Sequence, residues 1–134
     1  AWSLGNYPHA QVLSPLIHSL QNDVAAVRLW ASGSLAEVGA SSESNAEVAA
    51  IHLLTSLQID NEPVVRSNCI WSLGRLYDNL RTELKHELEE AFFNVLLEDE
   101  EQSVRYEARI SLEQLESSSV QEKLGNLLVE GVVL

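Results

Sequence analysis

Basic side chains are scarce in this sequence of 134 residues. Eight Lys and Arg stand against 20 Asp and Glu, so the formal net charge is −12 at pH 7. No basic run occurs, and a surface of this sign repels a phosphate backbone and gains little from an anionic lipid surface. Nucleic acid and membranes are therefore not expected as partners.

Cysteine, methionine and long apolar segments are also absent or nearly so. Cys69 is the single cysteine, which excludes an internal disulfide. No stretch approaches the ~20 apolar residues that span a bilayer, and the N-terminus lacks the features of a signal peptide. The sequence contains no Met, so we interpret it as a processed or excised piece of a longer protein. We expect a cytoplasmic location.

The sequence does contain an internal repeat. Each copy has a Val-Arg pair, a small residue three places after the Arg, Ser six places after it and Leu seven places after it. The copies are Val27-Arg28 with Ala31, Ser34 and Leu35; Val65-Arg66 with Cys69, Ser72 and Leu73; and Val104-Arg105 with Ala108, Ser111 and Leu112. Their spacing of 38 and 39 residues is typical of solenoids. The segment Trp2 to Gly5 matches Trp71 to Gly74, so we expect the chain to begin midway through a further copy.

Apolar residues within each period recur at helical spacing, and turn residues divide the period into two helices. First helices are predicted at His9 to Gln21, Asn45 to Gln58 and Arg81 to Leu97, and second helices at Val24 to Val38, Pro63 to Tyr77 and Gln102 to Ser117. The turns between them should supply N-cap oxygens to the second helices, and are Asn22-Asp23, Asp60-Asn61-Glu62 and Asp99-Glu100-Glu101. Gly39 to Ser44 predicts a loop, and a last helix is expected to start near Val120.

This pattern of Asp in a turn, Val-Arg, small residues and Leu resembles HEAT repeats, in particular the short bacterial kind named after phycobilisome lyases. The resemblance covers nearly the whole chain. It implies an all-α fold, an α-solenoid of about three and a half helix pairs, with first helices on the convex side and second helices on the concave side. We expect one domain over residues 1–134, with the end of a cut repeat at 1–8, repeats at 9–39, 45–78 and 80–117, and the start of a further repeat at 120–134.

The repeated Arg follows an Asp by five or six residues. This spacing lets the guanidinium reach back to the turn between helices and donate to carbonyl and carboxylate groups there. The resemblance implies an Asp-Arg ladder along the array. We expect a structural role rather than an anion site, because the pair recurs in every repeat, as Asp23 with Arg28, Asp60 with Arg66 and Asp99 with Arg105.

Residue types that carry chemistry form no recognisable site in the sequence. The repeated Ser residues lack a nucleophile turn and a neighbouring His, so they should only let helices approach closely. Cys69 stands where sister repeats have Ala, which predicts a small core residue. The His residues share neither a repeat position nor metal-ligand spacing, and are His9, His18, His52 and His86. We expect no catalytic residue, metal or cofactor, and hence no enzyme.

One face of the second helices points away from the core in a projection at 100° per residue. Small residues on this face, Gly33, Ala36 and Gly74, should leave room around larger neighbours. Together with a flanking Trp, the expected partner-binding residues form what we call the concave strip: Leu29, Trp30, Trp71, Arg75, Tyr106, Arg109 and Ile110. Aromatic anchors beside Arg are typical of protein-binding hot spots. The alternative is that neighbouring repeats bury these rings against each other.

Three functions are compatible with these features. The leading hypothesis is a scaffold, adaptor or sensor segment that binds a protein or peptide through the concave strip. The resemblance suggests a bilin lyase or isomerase subunit acting on phycobiliproteins as an alternative, although the strip offers few cations for bilin propionates. A passive structural spacer is the third. Apolar flanks at Leu4 and at Val129 to Leu134 also predict end-to-end self-association.

Overall fold

Helices make up almost all of the described chain. The computed structural model describes residues 12–131. In chain order the α-helices are α1 (Leu13–Asn22), α2 (Ala25–Gly39), α3 (Glu43–Ile59), α4 (Pro63–Leu76), α5 (Thr82–Glu98), α6 (Gln102–Gln114) and α7 (Ser118–Val129). A 3-10 turn, Tyr77–Asn79, follows α4, and residues 12–131 include no β-strand. The predicted all-α class is confirmed.

The helices pack as consecutive antiparallel pairs in two layers. The pairs are α1 with α2, α3 with α4, and α5 with α6. The second helices α2, α4 and α6 pack closely side by side, whereas the first helices α1, α3 and α5 contact one another much less. The second helices therefore form the more closely packed of the two layers. The α-solenoid architecture is confirmed.

The core is built from the repeated positions of the second helices and the apolar faces of the first. The repeated small, Ser and Leu positions are buried in all three copies. Among residues 12–131, the largest fully buried side chain is Phe92 of α5. Cys69 lies in the core at the position that Ala fills in the neighbouring repeats, and its burial raises the pKa of the thiol to about 12.

Local sequence explains where several helices begin and end. The Ser42 hydroxyl accepts a hydrogen bond from the Asn45 N–H and caps α3, and Ser117 caps α7 in the same way. Pro63 occupies the first turn of α4, where its missing N–H costs nothing. After α7, Gly131 adopts the left-handed conformation that ends many helices.

Three local predictions are wrong. The loop predicted at Gly39 to Ser44 is shorter, because α2 continues through Gly39 and Ser42 starts α3. The helix predicted to reach Ser117 ends at Gln114, and the next residue is extended. The turn Asp carboxylates do not bind the second or third N–H of the helix that follows. They accept the N–H of the N-cap residue itself, as Asp60 does from Glu62 at 3.0 Å. The carboxylates of Asp60 and Asp99 also accept from an Arg of the preceding repeat.

Some predictions lie outside the described residues. These are the segment 1–8, the first residues of the helix predicted at His9, and the flanks at Leu4 and beyond residue 131. The domain boundaries stay a prediction.

Candidate functional site

The repeated Arg links consecutive repeats. Arg28 donates from Nη1 to the carbonyl of Asp23 in its own turn at 2.8 Å. Its Nε and Nη2 donate to the carboxylate of Asp60, in the next turn, at 2.9 and 3.1 Å. Arg66 repeats this geometry with the carbonyl of Asp60 at 2.9 Å and both carboxylate oxygens of Asp99 at 3.0 Å. Asp60 and Asp99 therefore each bind two Arg residues, one through the carbonyl and one through the carboxylate.

The ladder is partly shielded from water, and this affects its ionisation. Burial raises the pKa of Asp99, but hydrogen bonds from Arg66 and from the Glu101 N–H, with the charges of Arg66 and Arg105, outweigh it. The pKa of Asp99 therefore lies below its ordinary value. The pKa of Arg66 is raised, chiefly by its hydrogen bond to Asp99. Arg105 continues the series by donating to the Asp99 carbonyl.

A second polar link fixes α4 against α2. Asn68 of α4 donates to the Ser32 hydroxyl at 2.7 Å and to the Leu29 carbonyl at 3.2 Å. One turn further along, the buried Ser72 hydroxyl donates to the Ser32 carbonyl at 2.7 Å. A small polar residue at this position thus permits close approach and also sets the register of the two helices. The register fixes where Trp71, the neighbour of Ser72, emerges on the concave side.

Two aromatic rings of the concave strip face solvent on adjacent second helices. Trp71 of α4 is 45 % exposed and Tyr106 of α6 is 64 % exposed. Ile110 is half-buried. Leu29 and Trp30 are also half-buried, because both pack against the core. The exposed apolar part of the strip is therefore centred on α4 and α6 and not on α2.

The prediction that Ala36 lies on the exposed face is wrong, because this residue is buried. It follows Leu35, and the close packing of α2 against its neighbours covers both. Trp2, which was grouped with Trp71 by sequence, lies outside the described residues.

A shallow cavity of about 280 Å³ adjoins Trp71. Its walls come from α2, α4 and α6, and its lining is Leu29, Val64, Ser67, Asn68, Trp71 and Glu107. Exposed Val64 adds apolar surface, and Glu107 provides the single charge. Sequence reasoning missed Val64, Asn68 and Glu107. Asn68 and Glu107 each stand two residues after a repeated Arg. Trp30 occupies the same position in its own repeat, so the repeat alignment could have indicated both residues.

Both cations of the strip interact within the chain. The Arg75 guanidinium lies over the Trp71 ring, with its central carbon 4.9 Å from the ring centroid. Arg109 pairs with Glu113 one turn further along α6, with Nε 3.3 Å from the carboxylate. Arg75 restrains one face of the indole, so the Trp71 ring is held in place beside the cavity.

Other groups singled out by sequence lie apart from this strip. His18 and His86 are exposed, and His52 is half-buried beside Gln21. Within residues 12–131, no three His, Cys, Asp or Glu side chains are grouped as a metal ion requires. In the same residues no helix combines the length and the apolar character needed to cross a bilayer.

Stacked helix pairs with a tight inner layer, joined by an Arg ladder from turn to turn, define an α-solenoid repeat protein. The family model for HEAT repeats matches residues 1–74, which is more than half of the chain. The chain belongs to the HEAT repeat family, whose members commonly mediate protein interactions. The match is to HEAT repeats in general, and a search of curated proteins found no match.

Proposed function

We propose that this chain is a protein-interaction module that binds a protein or a peptide through the concave strip. One observation carries the proposal: Trp71 and Tyr106 are both about half exposed or more on neighbouring second helices. Large exposed aromatic rings next to a cavity are typical of binding surfaces, since a solvated helix face has no need of them. As a HEAT repeat chain, it belongs to a family in which this role is common.

The chemistry of the strip favours an apolar anchor. Leu29, Val64 and the free part of the Trp71 ring would surround an aliphatic or aromatic side chain of the partner. Because Arg75 already restrains the indole, little side-chain entropy remains to be lost when the partner binds. Polar groups at the rim, including the Arg109–Glu113 pair, would then contact the partner around this anchor.

In this proposal the chain binds and does not catalyse. The bilin lyase alternative requires cations for the propionate groups of a bilin. The two candidates, Arg75 and Arg109, interact with Trp71 and Glu113, so no observation favours this alternative over protein binding. We also propose a cytoplasmic location, which is consistent with Cys69 being a buried free thiol.

The test uses peptides selected by the protein itself. A random-peptide phage library is panned on the chain, and the dissociation constants of the selected peptides are measured with purified variants. The Trp71→Ala/Tyr106→Ala double variant should bind them at least ~30-fold more weakly, because hot-spot truncations cost about 2 kcal/mol or more and 1.4 kcal/mol is a factor of ten.

A matched control removes equally exposed apolar side chains elsewhere. Val48 and Ile59 are exposed and lie off the strip, so Val48→Ala/Ile59→Ala should leave the affinity unchanged. Circular dichroism checks that both variants keep their helices. If both variants bound the selected peptides as tightly as the unmodified chain, the concave strip would not be the binding surface.

A further inference from the structure

A groove runs between α3 and α5, on the side of the array opposite the concave strip. Two adjoining cavities of about 350 and 530 Å³ form it, and they share Gln58, Ala91 and Asn94. Leu54, Leu57 and the small Ala91 provide an apolar floor. We call this site the outer groove and define it by Ile51, Leu54, Gln58, Glu87, Glu90 and Asn94. It exists because the first helices spread apart where the second helices pack closely.

The cations of this protein are already engaged within the chain. All eight lie within residues 12–131, and each contacts another group there. Ion pairs hold Arg28, Arg66, Arg81 and Arg109, aromatic rings lie beneath Arg75, Lys85 and Lys123, and a backbone carbonyl accepts from Arg105. Only four carboxylates take part in ion pairs in the same residues, out of 20 in the sequence. The chain's own cations therefore leave most of its carboxylates without an ion-pair partner in residues 12–131.

The outer groove combines this uncompensated charge with an apolar floor. Glu87 and Glu90 stand on its α5 wall, and Glu98 and Glu100 continue the acidic edge toward the turn. The one cation among the lining residues is Arg66, whose guanidinium is bonded to the ladder. The α3 wall is uncharged from Ile51 to Gln58 apart from the partly buried His52 at its edge.

We propose that the outer groove binds an extended basic segment of a partner protein, in which Lys or Arg alternates with apolar residues. Successive side chains of an extended segment point to opposite sides. One set would therefore pack on Leu54 and Ala91 while the other reaches Glu87 and Glu90. The exposed amides of Gln58 and Asn94 offer donors and acceptors to the backbone of the segment.

The length of the outer groove fits a short segment. From Ile51 to its last residue Ile59, the α3 wall extends about 12 Å at 1.5 Å per helical residue. An extended chain rises about 3.3 Å per residue, so about four residues of the partner would fill the groove. This site is separate from the concave strip, and the two proposals do not depend on each other.

The probe is a synthetic peptide, acetyl-Lys-Leu-Lys-Leu-Lys-Leu-amide with a dye at one end, and binding is followed by fluorescence anisotropy. The matched peptide with Glu in place of Lys should not bind. Glu87→Gln/Glu90→Gln should weaken binding of the basic peptide about fivefold, because exposed ion pairs are weak and fivefold corresponds to about 1 kcal/mol for the two pairs together. Asn94→Trp places a bulky ring in the groove from an exposed position and should abolish binding.

Control variants separate the groove from general charge attraction. Glu116→Gln/Glu122→Gln removes the same charge at exposed positions outside the groove, and it should leave the affinity unchanged. Trp71→Ala/Tyr106→Ala should also leave it unchanged. If Glu87→Gln/Glu90→Gln and Glu116→Gln/Glu122→Gln weakened binding equally, the effect would be due to net charge alone, and the proposal would be overturned. Loss of binding in the Trp71/Tyr106 variant, normal binding in Asn94→Trp, or no binding by the unmodified chain would also overturn it.

Discussion

At the scale of single residues, the ladder explains why Arg recurs at one repeat position. Arg66 donates to the carbonyl of its own turn and to the carboxylate of the next turn. Its fork of donors has the shape to bind both at once, which Lys could not do. The same side chain therefore closes its own repeat and attaches the following one. A residue with this double task is needed in each repeat whatever the protein binds.

Removal of a ladder Arg should lower the stability of the fold strongly, because its partner Asp is shielded from water. The side chains of Arg66 and Asp99 are each 9 % exposed, whereas those of Arg81 and Glu47 are 59 and 36 % exposed. Arg66→Met leaves Asp99 without its main partner, and we expect the free energy of unfolding to fall by about 3 kcal/mol. Arg81→Met should cost less than about 1 kcal/mol. Urea denaturation measures both, and equal costs would contradict a structural role for the ladder.

The ladder should also give the protein a specific dependence on pH. The pKa of Asp99 is lowered in the folded state, so its contribution to stability is present above its unfolded pKa of about 3.9 and is lost as the pH falls through the folded value. Asp99→Asn should therefore be less stable than the unmodified chain at pH 7, and the difference should narrow as the pH falls below about 4. Urea denaturation at pH 7 and pH 3 gives the comparison. A gap of the same size at both values would contradict it.

At the scale of helices, two glycines show how closely the elements pack. A Cβ on Gly39, the last residue of α2, would lie 3.0 Å from Leu76 Cδ2 and 3.1 Å from Ala49 Cβ. A Cβ on Gly74, inside α4, would meet nothing within 4 Å. The first glycine allows helix approach, and the second has no such role.

These environments predict opposite effects of the same substitution. Gly74→Ala should stabilise the protein by up to about 1 kcal/mol, because Ala is the better helix former. Gly39→Ala should instead destabilise it by about 1 kcal/mol, since crowding in a packed interior exceeds the gain in helix propensity. Thermal unfolding gives the sign of each change. Stabilisation by Gly39→Ala would show that α2 and α4 can move apart at little cost.

The helices could be predicted from the sequence because their signals are local. The repeat period and the apolar spacing gave the all-α class and seven helices with small boundary errors. The contacts between repeats were harder to predict from the sequence. Nothing in the spacing indicates that the carboxylate of Asp60 binds Arg28 while its carbonyl binds Arg66, since this depends on how repeats stack. The burial of Ala36 and the cavity beside Glu107 likewise arise where three helices meet, and a projection of one helix cannot represent that.

At the scale of the whole molecule, the two layers of helices present two different faces. Close packing of α2, α4 and α6 brings Trp71 and Tyr106 together on one side, and the spread of α3 and α5 opens a groove on the other. Both faces belong to a chain whose net charge is −12. The acidic side chains should therefore attract basic partners toward the molecule. This attraction should weaken as the salt concentration rises, because salt screens the charges.

Self-association stays a prediction at this scale. Leu128 and Val129 at the end of α7 are exposed, and a solenoid surface of this kind is normally covered by a neighbour. We expect light scattering to show a mass that rises with protein concentration, and Leu128→Lys/Val129→Lys to keep the chain monomeric. A constant monomer mass of the unmodified chain at high concentration would contradict the prediction.

The most direct test of the central claim observes the concave strip while it binds. In a two-dimensional NMR spectrum of the ¹⁵N-labelled chain, the Trp71 indole N–H is assigned with a Trp71→Phe variant. Addition of a peptide selected on the unmodified chain should shift this resonance together with the backbone amides around Tyr106, and leave those of α3 and α5 in place. Shifts confined to α3 and α5, with the Trp71 indole unmoved, would contradict binding through the concave strip.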